Sequence, residues 1–320
     1  MVKKAENIIV GISIGDLNGI GSEVVMKTLE DNRMLELCTP VIFANVKIMT
    51  FLKKAYNLTL NFQGIDSLNQ LVLGKINVLN VWKEPVNIQF SVNDNLVGEF
   101  AIKSFQAATK ALKDNLIDVL VTAPINKYNI QSETFKFPGH TDYLANQFNE
   151  KALMFMVNNN LRVGLFTDHV PVNEVANSLT EELIISKVNA INQSLKQDFG
   201  ISKPKIAVLG LNPHAGDNGV IGKEDDQVLK PALLKIFEKG TLVFGPFSAD
   251  SFFGSKQYMQ YDAILATYHD QGLIPFKTLS FGNGVNFTAG LSKVRTSPDH
   301  GTAFDIAGKG IANEESFREA

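Results

Sequence analysis

The feature that most constrains this chain is the alternation of short apolar runs with longer stretches of helical periodicity. Ile8–Ile14 precedes Ser22–Glu30, Pro40–Ala44 precedes Val46–Tyr56, and Val97–Asp114 precedes Val119–Ala123. The short runs, bounded by turn-forming residues, read as strands, and the longer stretches read as amphipathic helices. The pattern resumes with Lys151–Val157, Val163–Phe166, a helix at Thr180–Asp198, Lys205–Gly210, a helix near Asp225–Lys239 and a strand at Ala263–Thr267. Such alternation predicts an α/β fold with a parallel or mixed sheet. With 320 residues, 45% hydrophobic and 20% charged, the chain is long enough for two domains with their own cores. There is no internal repeat, low-complexity segment or Gly/Ser/Pro-rich linker, so a boundary has to be inferred from chemistry, in the loop around Thr122–Lys127.

Charge and composition exclude several classes. The formal net charge is −3, from 33 acidic and 30 basic residues without a long block of either sign, which argues against nucleic acid or a membrane surface as partner. The single cysteine, Cys38, cannot build a disulfide framework, and Met1–Gly11 is too short and too charged for a signal peptide, so a cytoplasmic location is expected. No apolar run reaches the roughly 20 residues of a membrane-spanning helix.

All five histidines fall in polar loops: FPGHTDY, FTDHVPV, LNPHAGD, TYHDQG and PDHGTA. His169, His214 and His269 each follow a predicted strand and have a carboxylate within three residues, Asp168, Asp217 and Asp270. At the carboxyl edge of an open sheet, three neutral imidazoles can hold a divalent cation and leave a coordination position open for chemistry, with the carboxylates as ligands or tautomer-fixing partners. Each histidine taken alone is more simply a hydrogen-bonded structural residue. GDLNGIGSE (15–23) follows a strand and opens a helix, so it is either an anion-binding turn or a tight structural turn. Its glycines do not match a dinucleotide fingerprint, and Asn45 stands where an acid would be sought. Lys277, Asn286 and Arg295, with His140 and Thr141, can form a clamp for phosphate or carboxylate.

Taken together, GDLNGIGSE, TAPINK, FPGHTDYLA, DHVPV, LNPHAGDNGVIGKED, GPFSADSFF, YHDQGLIPFKTLSFGNGVNFTAGL and RTSPDHGTAFDIAGKGIA closely resemble the 4-hydroxythreonine-4-phosphate dehydrogenase family over nearly the whole chain. The resemblance implies two α/β/α lobes with a cleft between them, similar to isocitrate and isopropylmalate dehydrogenases, with lobe 1 near 1–125 plus 300–320 and lobe 2 near 126–299. It implies a divalent metal (Zn, Mg or Co) on His169, His214 and His269, and a homodimer whose metal site draws on both subunits. Substrate ligands are implied at His140, Thr141, Lys277, Asn286 and Arg295. The segment 300–313 looks like the dinucleotide loop of isopropylmalate dehydrogenases, implying NAD or NADP contacts at His300, Gly301, Thr302, Ala303 and Asp305. Two departures stand out. Leu17 follows Asp16 where many relatives have proline, and the chain ends at Ala320 inside a helix expected to begin near Glu314.

The implied reaction is oxidation of the C3 hydroxyl of 4-phosphooxy-L-threonine followed by decarboxylation, a step of pyridoxal 5′-phosphate biosynthesis. Asp250, Asp270 and His140 all lie in motifs suited to a proton acceptor. Competing expectations are a relative acting on a four-carbon sugar-acid phosphate or an aromatic cis-dihydrodiol acid, a metal-dependent hydrolase, and a non-catalytic phosphate-binding protein.

Overall fold

The computed structural model describes residues 8–280 and 282–320, so Met1–Asn7 of the N-terminal stretch and Phe281 lie outside the described residues. The chain divides into unit 1, Met1–Phe148 with Lys293–Ala320, and unit 2, Asn149–Ser292.

Unit 1 contains β1 (Ile8–Ser13), β2 (Cys38–Ala44), β3 (Phe62–Ile65), β4 (Ile76–Asn80), β5 (Val119–Thr122) and the chain's last strand, β12 (Arg295–Pro298). They lie in the order β3-β4-β2-β1-β5-β12. Every pairing is parallel. A parallel sheet is covered on both faces, which is why β2 (CTPVIFA) is buried at every position. Helices on the connections start where side chains satisfy their free N–H groups. Asn45 accepts from the Lys47 and Ile48 backbones before Val46–Ala55, and Asp94 accepts from Leu96 before Asn95–Lys113. The core joins Ile12, Ile42 and Val78 of the sheet to Val24, Met49, Leu52 and Val97 of the helices, and Phe317 of the final short helix, Glu315–Glu319, belongs to it.

Unit 2 contains β6 (Leu153–Val157), β7 (Arg162–Leu165), β8 (Lys205–Leu209), β9 (Leu242–Phe247), β10 (Ala263–Ala266) and β11 (Val285–Ala289). Their order is β11-β6-β7-β10-β8-β9. The four strands from β7 to β9 are parallel, and β6 runs antiparallel to both β7 and β11. Asn158 makes the β6–β7 turn, its Oδ1 accepting from Asn160 and Leu161. The core joins Val163, Leu165, Ala207, Leu209, Ile264 and Ala266 to Phe252, Leu273 and Phe276.

The observed division differs from the expected lobe limits. Residues 126–148 and 293–299 group with unit 1. The physical reasons are local: Tyr143 packs its ring on Phe105 at 5.0 Å, and β12 pairs with β5. Among the described residues no helix is long and apolar enough to cross a membrane.

Candidate functional site

In unit 2 the three metal-candidate histidines follow three adjacent strands. β7 leads to His169, β10 to His269 and β8 to His214, and β10 is parallel to both neighbours. Parallel strands deliver their carboxyl ends to one edge, so the three loops emerge on the same side of the sheet. The His169 and His269 rings are neighbours, with centroids 6.1 Å apart. His269 Nδ1 lies 2.7 Å from Asp270 Oδ1, which suits a neutral imidazole that donates from Nδ1 and keeps its Nε2 lone pair for a cation. This donor chemistry fits a divalent metal. Among the described residues, however, no three His, Cys, Asp or Glu side chains are gathered as a metal-holding group.

Polar side chains not singled out in the sequence fix these loops. Gln271 Oε1 accepts from Thr267 N and Oγ1, and its Nε2 donates to Gly210 O at 2.6 Å, joining the ends of β10 and β8. Thr167 Oγ1 donates to Thr267 O at 2.7 Å, joining β7 to β10. Beyond β8, His214, Ala215, Gly216, Asp217 and Asn218 all have left-handed backbones, with φ of 55°, 50°, 83°, 43° and 55°. Four of the five carry a Cβ, for which this conformation costs on the order of 1–2 kcal/mol each. Asp225 braces the turn. It is fully buried, and its carboxylate accepts from Leu211 N at 2.8 Å, Asn212 N at 3.0 Å and Asn212 Nδ2 at 2.9 Å. The signal available in the sequence was an acid after a Gly-rich turn, LNPHAGDNGVIGKED, but spacing does not say which acid folds back.

The accompanying carboxylates take different places. Asp168 lies 3.5 Å from Lys187 Nζ, and Asp217 sits inside the left-handed turn. Asp250 accepts from Ser248 Oγ at 2.6 Å. That bond, with the Ser251 backbone and the nearby His214, holds its carboxyl below the usual range, so it is ionised at neutral pH. Lys277 is exposed in the last turn of the helix His269–Ser280. Asn286 lies on β11, with its Oδ1 buried and without a hydrogen-bond partner among the described residues.

In unit 1, His140 and Arg295 come together. His140 opens the helix His140–Phe148, with Thr141 beside it in the first turn, where free backbone N–H groups favour an anion. Arg295 is 2% exposed, and its Nη2 lies 3.0 Å from His140 Nδ1. Burial pushes its guanidinium pKa down to about 9, which leaves it charged at pH 7. Both Nε and Nη2 donate to Thr122 Oγ1, the former at 3.1 Å. Burial, then the positive charges of Arg295 and Lys127, push the His140 pKa well below its usual value. The Phe105 ring meets the imidazole edge-on at 4.6 Å.

The segment His300–Asp305 packs in the same unit against the first loop. Thr302 O accepts from Ile20 N at 3.0 Å, and a Cβ on Gly19 would lie 2.8 Å from that oxygen. Asp16 is buried and accepts from Asn18 N at 2.9 Å and Asn129 Nδ2 at 3.1 Å. The GDLNGIG loop is thereby a packed turn, and the structural alternative describes it. His300 Nδ1 lies 3.0 Å from Gly301 O, and its Nε2 is buried without a hydrogen-bond partner among the described residues, a polar position that suits a bound dinucleotide.

The model of the family described as "Pyridoxal phosphate biosynthetic protein PdxA" matches residues 36–320. A 4-hydroxythreonine-4-phosphate dehydrogenase of Bacteroides thetaiotaomicron is 48% identical over 97% of this chain and 86% of its own. A D-threonate 4-phosphate dehydrogenase of Cupriavidus necator is 35% identical over 98% of this chain and 95% of its own. The crystal structure of 4-hydroxythreonine-4-phosphate dehydrogenase from Klebsiella pneumoniae superposes with a TM-score of 0.86 at 30% identity, covering 99% of this chain and 96% of that one. A terephthalate 1,2-cis-dihydrodiol dehydrogenase of Burkholderia xenovorans shares the fold at 23% identity and a TM-score of 0.65, covering 98% of this chain and 96% of its own. Sequence and fold agree in placing this chain in the pyridoxal phosphate biosynthetic protein PdxA family.

Proposed function

We propose that this protein is an NAD(P)-dependent, divalent-metal-dependent dehydrogenase that oxidises the C3 hydroxyl of 4-phosphooxy-L-threonine and releases CO₂, giving 3-amino-2-oxopropyl phosphate. The observation that carries this reading is the delivery of His169, His269 and His214 from three adjacent parallel strands to one sheet edge. His169, His214 and His269 would hold the cation, which would supply Lewis acidity for a hydroxyl oxidation and a decarboxylation. The chain's own residues do the rest. Asp270 orients His269, while Gln271 and Asp225 hold the loops that carry His269 and His214.

In unit 1, His140, Thr141 and Arg295 are polar ligands for the substrate; in unit 2, Lys277 and Asn286 are candidate polar ligands in their own right. Charge-assisted contacts at the phosphate and carboxylate place the reacting carbon, so binding energy from the non-reacting end serves orientation. His300, Gly301, Thr302, Ala303 and Asp305 form the nicotinamide-dinucleotide loop.

A homodimer completes the metal site. In favour of this, Val172 is 79% exposed, Val220 81% and Ile274 62%, and all three lie in the segments that carry the histidines.

The deciding experiment measures NADH or NADPH formation with 4-phosphooxy-L-threonine and with D-threonate 4-phosphate, each with NAD⁺ and NADP⁺, before and after chelation and metal restoration. Turnover of the first substrate that is lost on chelation and regained with metal is expected. Preference for the threonate would assign the chain to that activity instead. Reduction of neither cofactor would refute the dehydrogenase reading.

A further inference from the structure

We propose that Thr122 is a positioning residue: through Arg295 it fixes His140 in the tautomer that carries its proton on Nε2, so that His140 meets a substrate oxygen as a hydrogen-bond donor. The identity of that substrate rests on the function proposed above; the tautomer does not.

The geometry begins in the sheet. Thr122 is the last residue of β5 and is fully buried. Arg295 opens β12 in register with Leu120, so Thr122, two residues on, shares its face. Both Nε and Nη2 of Arg295 donate to the one Thr122 hydroxyl oxygen, which fixes the orientation of the planar guanidinium. The same Nη2 lies 3.0 Å from His140 Nδ1. A guanidinium has only donors, so Nδ1 must accept, and the remaining proton of the neutral ring sits on Nε2. The edge contact with Phe105, at 72° between rings, packs the imidazole in this orientation.

Nε2 is buried and has no hydrogen-bond partner among the described residues. A buried N–H left unpaired is costly, and an acceptor oxygen of a bound phosphate, carboxylate or hydroxyl removes that cost. An imidazole held in this way donates a hydrogen bond and cannot take a proton from the substrate. The geometry therefore removes His140 from the three proton-acceptor candidates.

Histidine-labelled ¹⁵N protein at pH 7.5 tests the tautomer without substrate, the His140 resonances being assigned from the His140→Gln spectrum. Long-range ¹H–¹⁵N correlations are expected to show protonated Nε2 and bare Nδ1. A predominant Nδ1–H form, or an imidazolium, would overturn the proposal. Thr122→Val keeps the side-chain shape and deletes the acceptor. It is expected to give mixed tautomers and to raise KM for 4-phosphooxy-L-threonine at least tenfold, with a smaller change in kcat. Thr122→Ser should restore both readouts to within about twofold. A wild-type His140 spectrum in Thr122→Val, or an unchanged KM with mixed tautomers, would remove Thr122 from this role. Circular dichroism separates loss of folding from either result, and Thr122→Ser still reports if the valine variant does not fold. Absence of dehydrogenase activity in the wild type would count against the proposed function alone, since the spectrum decides the tautomer independently.

Discussion

Replacing Asp225 with alanine offers a direct measure of how the chain holds its left-handed turn. The carboxylate accepts from Leu211 N, Asn212 N and Asn212 Nδ2. In the variant the Asn212 side chain retains Glu224 Oε2 at 2.9 Å, so the principal loss falls on two backbone N–H groups left without their acceptor. Each unsatisfied donor in this part-buried turn costs about 1–3 kcal/mol, which gives about 2–6 kcal/mol for Asp225→Ala. Urea unfolding at constant pH would read this as a midpoint lowered by about 1–3 M, for a slope of roughly 2 kcal/mol per molar. Hydrogen exchange makes the test local: the Leu211 and Asn212 amides should be protected in the wild type and exchange fast in the variant. Because the turn carries His214, metal affinity measured by titration calorimetry should fall roughly 10- to 100-fold, as for other groups that support a ligand from behind. A stability loss under about 0.5 kcal/mol with both amides still protected would refute the brace.

Two further outcomes follow from other parts of the molecule. Folded His140 resists protonation because burial, then Arg295 and Lys127, oppose the charge. As pH falls below its ordinary 6.5, the unfolded chain binds a proton that the folded chain refuses, so this residue's effect on stability is nil above that pH and increasingly unfavourable below it. Wild-type stability should therefore drop more than that of His140→Gln between pH 7.5 and 5.5, by at most about 1.4 kcal/mol per unit; parallel curves would disprove the linkage. Gly15→Ala should destabilise by at least about 2 kcal/mol, because φ is +72° and the added Cβ would lie 2.3 Å from Pro124 O. A thermal midpoint equal to the wild type's would show that this turn relaxes freely.

How much was legible in the sequence depends on what each element asks of its residues. Strands β1, β2, β5, β7, β8 and β10 are apolar runs on a covered sheet, and period alone finds them. By contrast, β3 (FQGI) buries only its last residue, and β12 (RTSP) carries a buried arginine, so neither has a strand's apolar pattern. The helix His269–Ser280 reads as loop because of Gly272 and Pro275. Gly272 is there for packing: a Cβ would come within 2.9 Å of Leu165, Ala266 and Val163. The candidate metal residues were visible because three histidines followed three strands. Thr122, Asp225 and Gln271 were not, because their partners are chosen by tertiary folding and no spacing encodes them. The limits of the two units were misplaced for the same reason, since β12 finds its partner β5 across most of the chain.

That last pairing bears on how the protein is made. Unit 2 is one uninterrupted segment, Asn149–Ser292, whereas unit 1 needs Lys293–Ala320 to be complete. During synthesis, segments fold as they emerge from the ribosome, and the contiguous unit has all its strands first. Until Lys293–Ala320 arrives, β5 lacks its β12 neighbour, the core lacks Phe317, and Thr122 and His140 await Arg295. An earlier-made part of the polypeptide is thus finished by a later-made one. A chain lacking Lys293–Ala320 would keep every strand of unit 2 but leave β5 with an open strand edge in unit 1, a form exposed to aggregation.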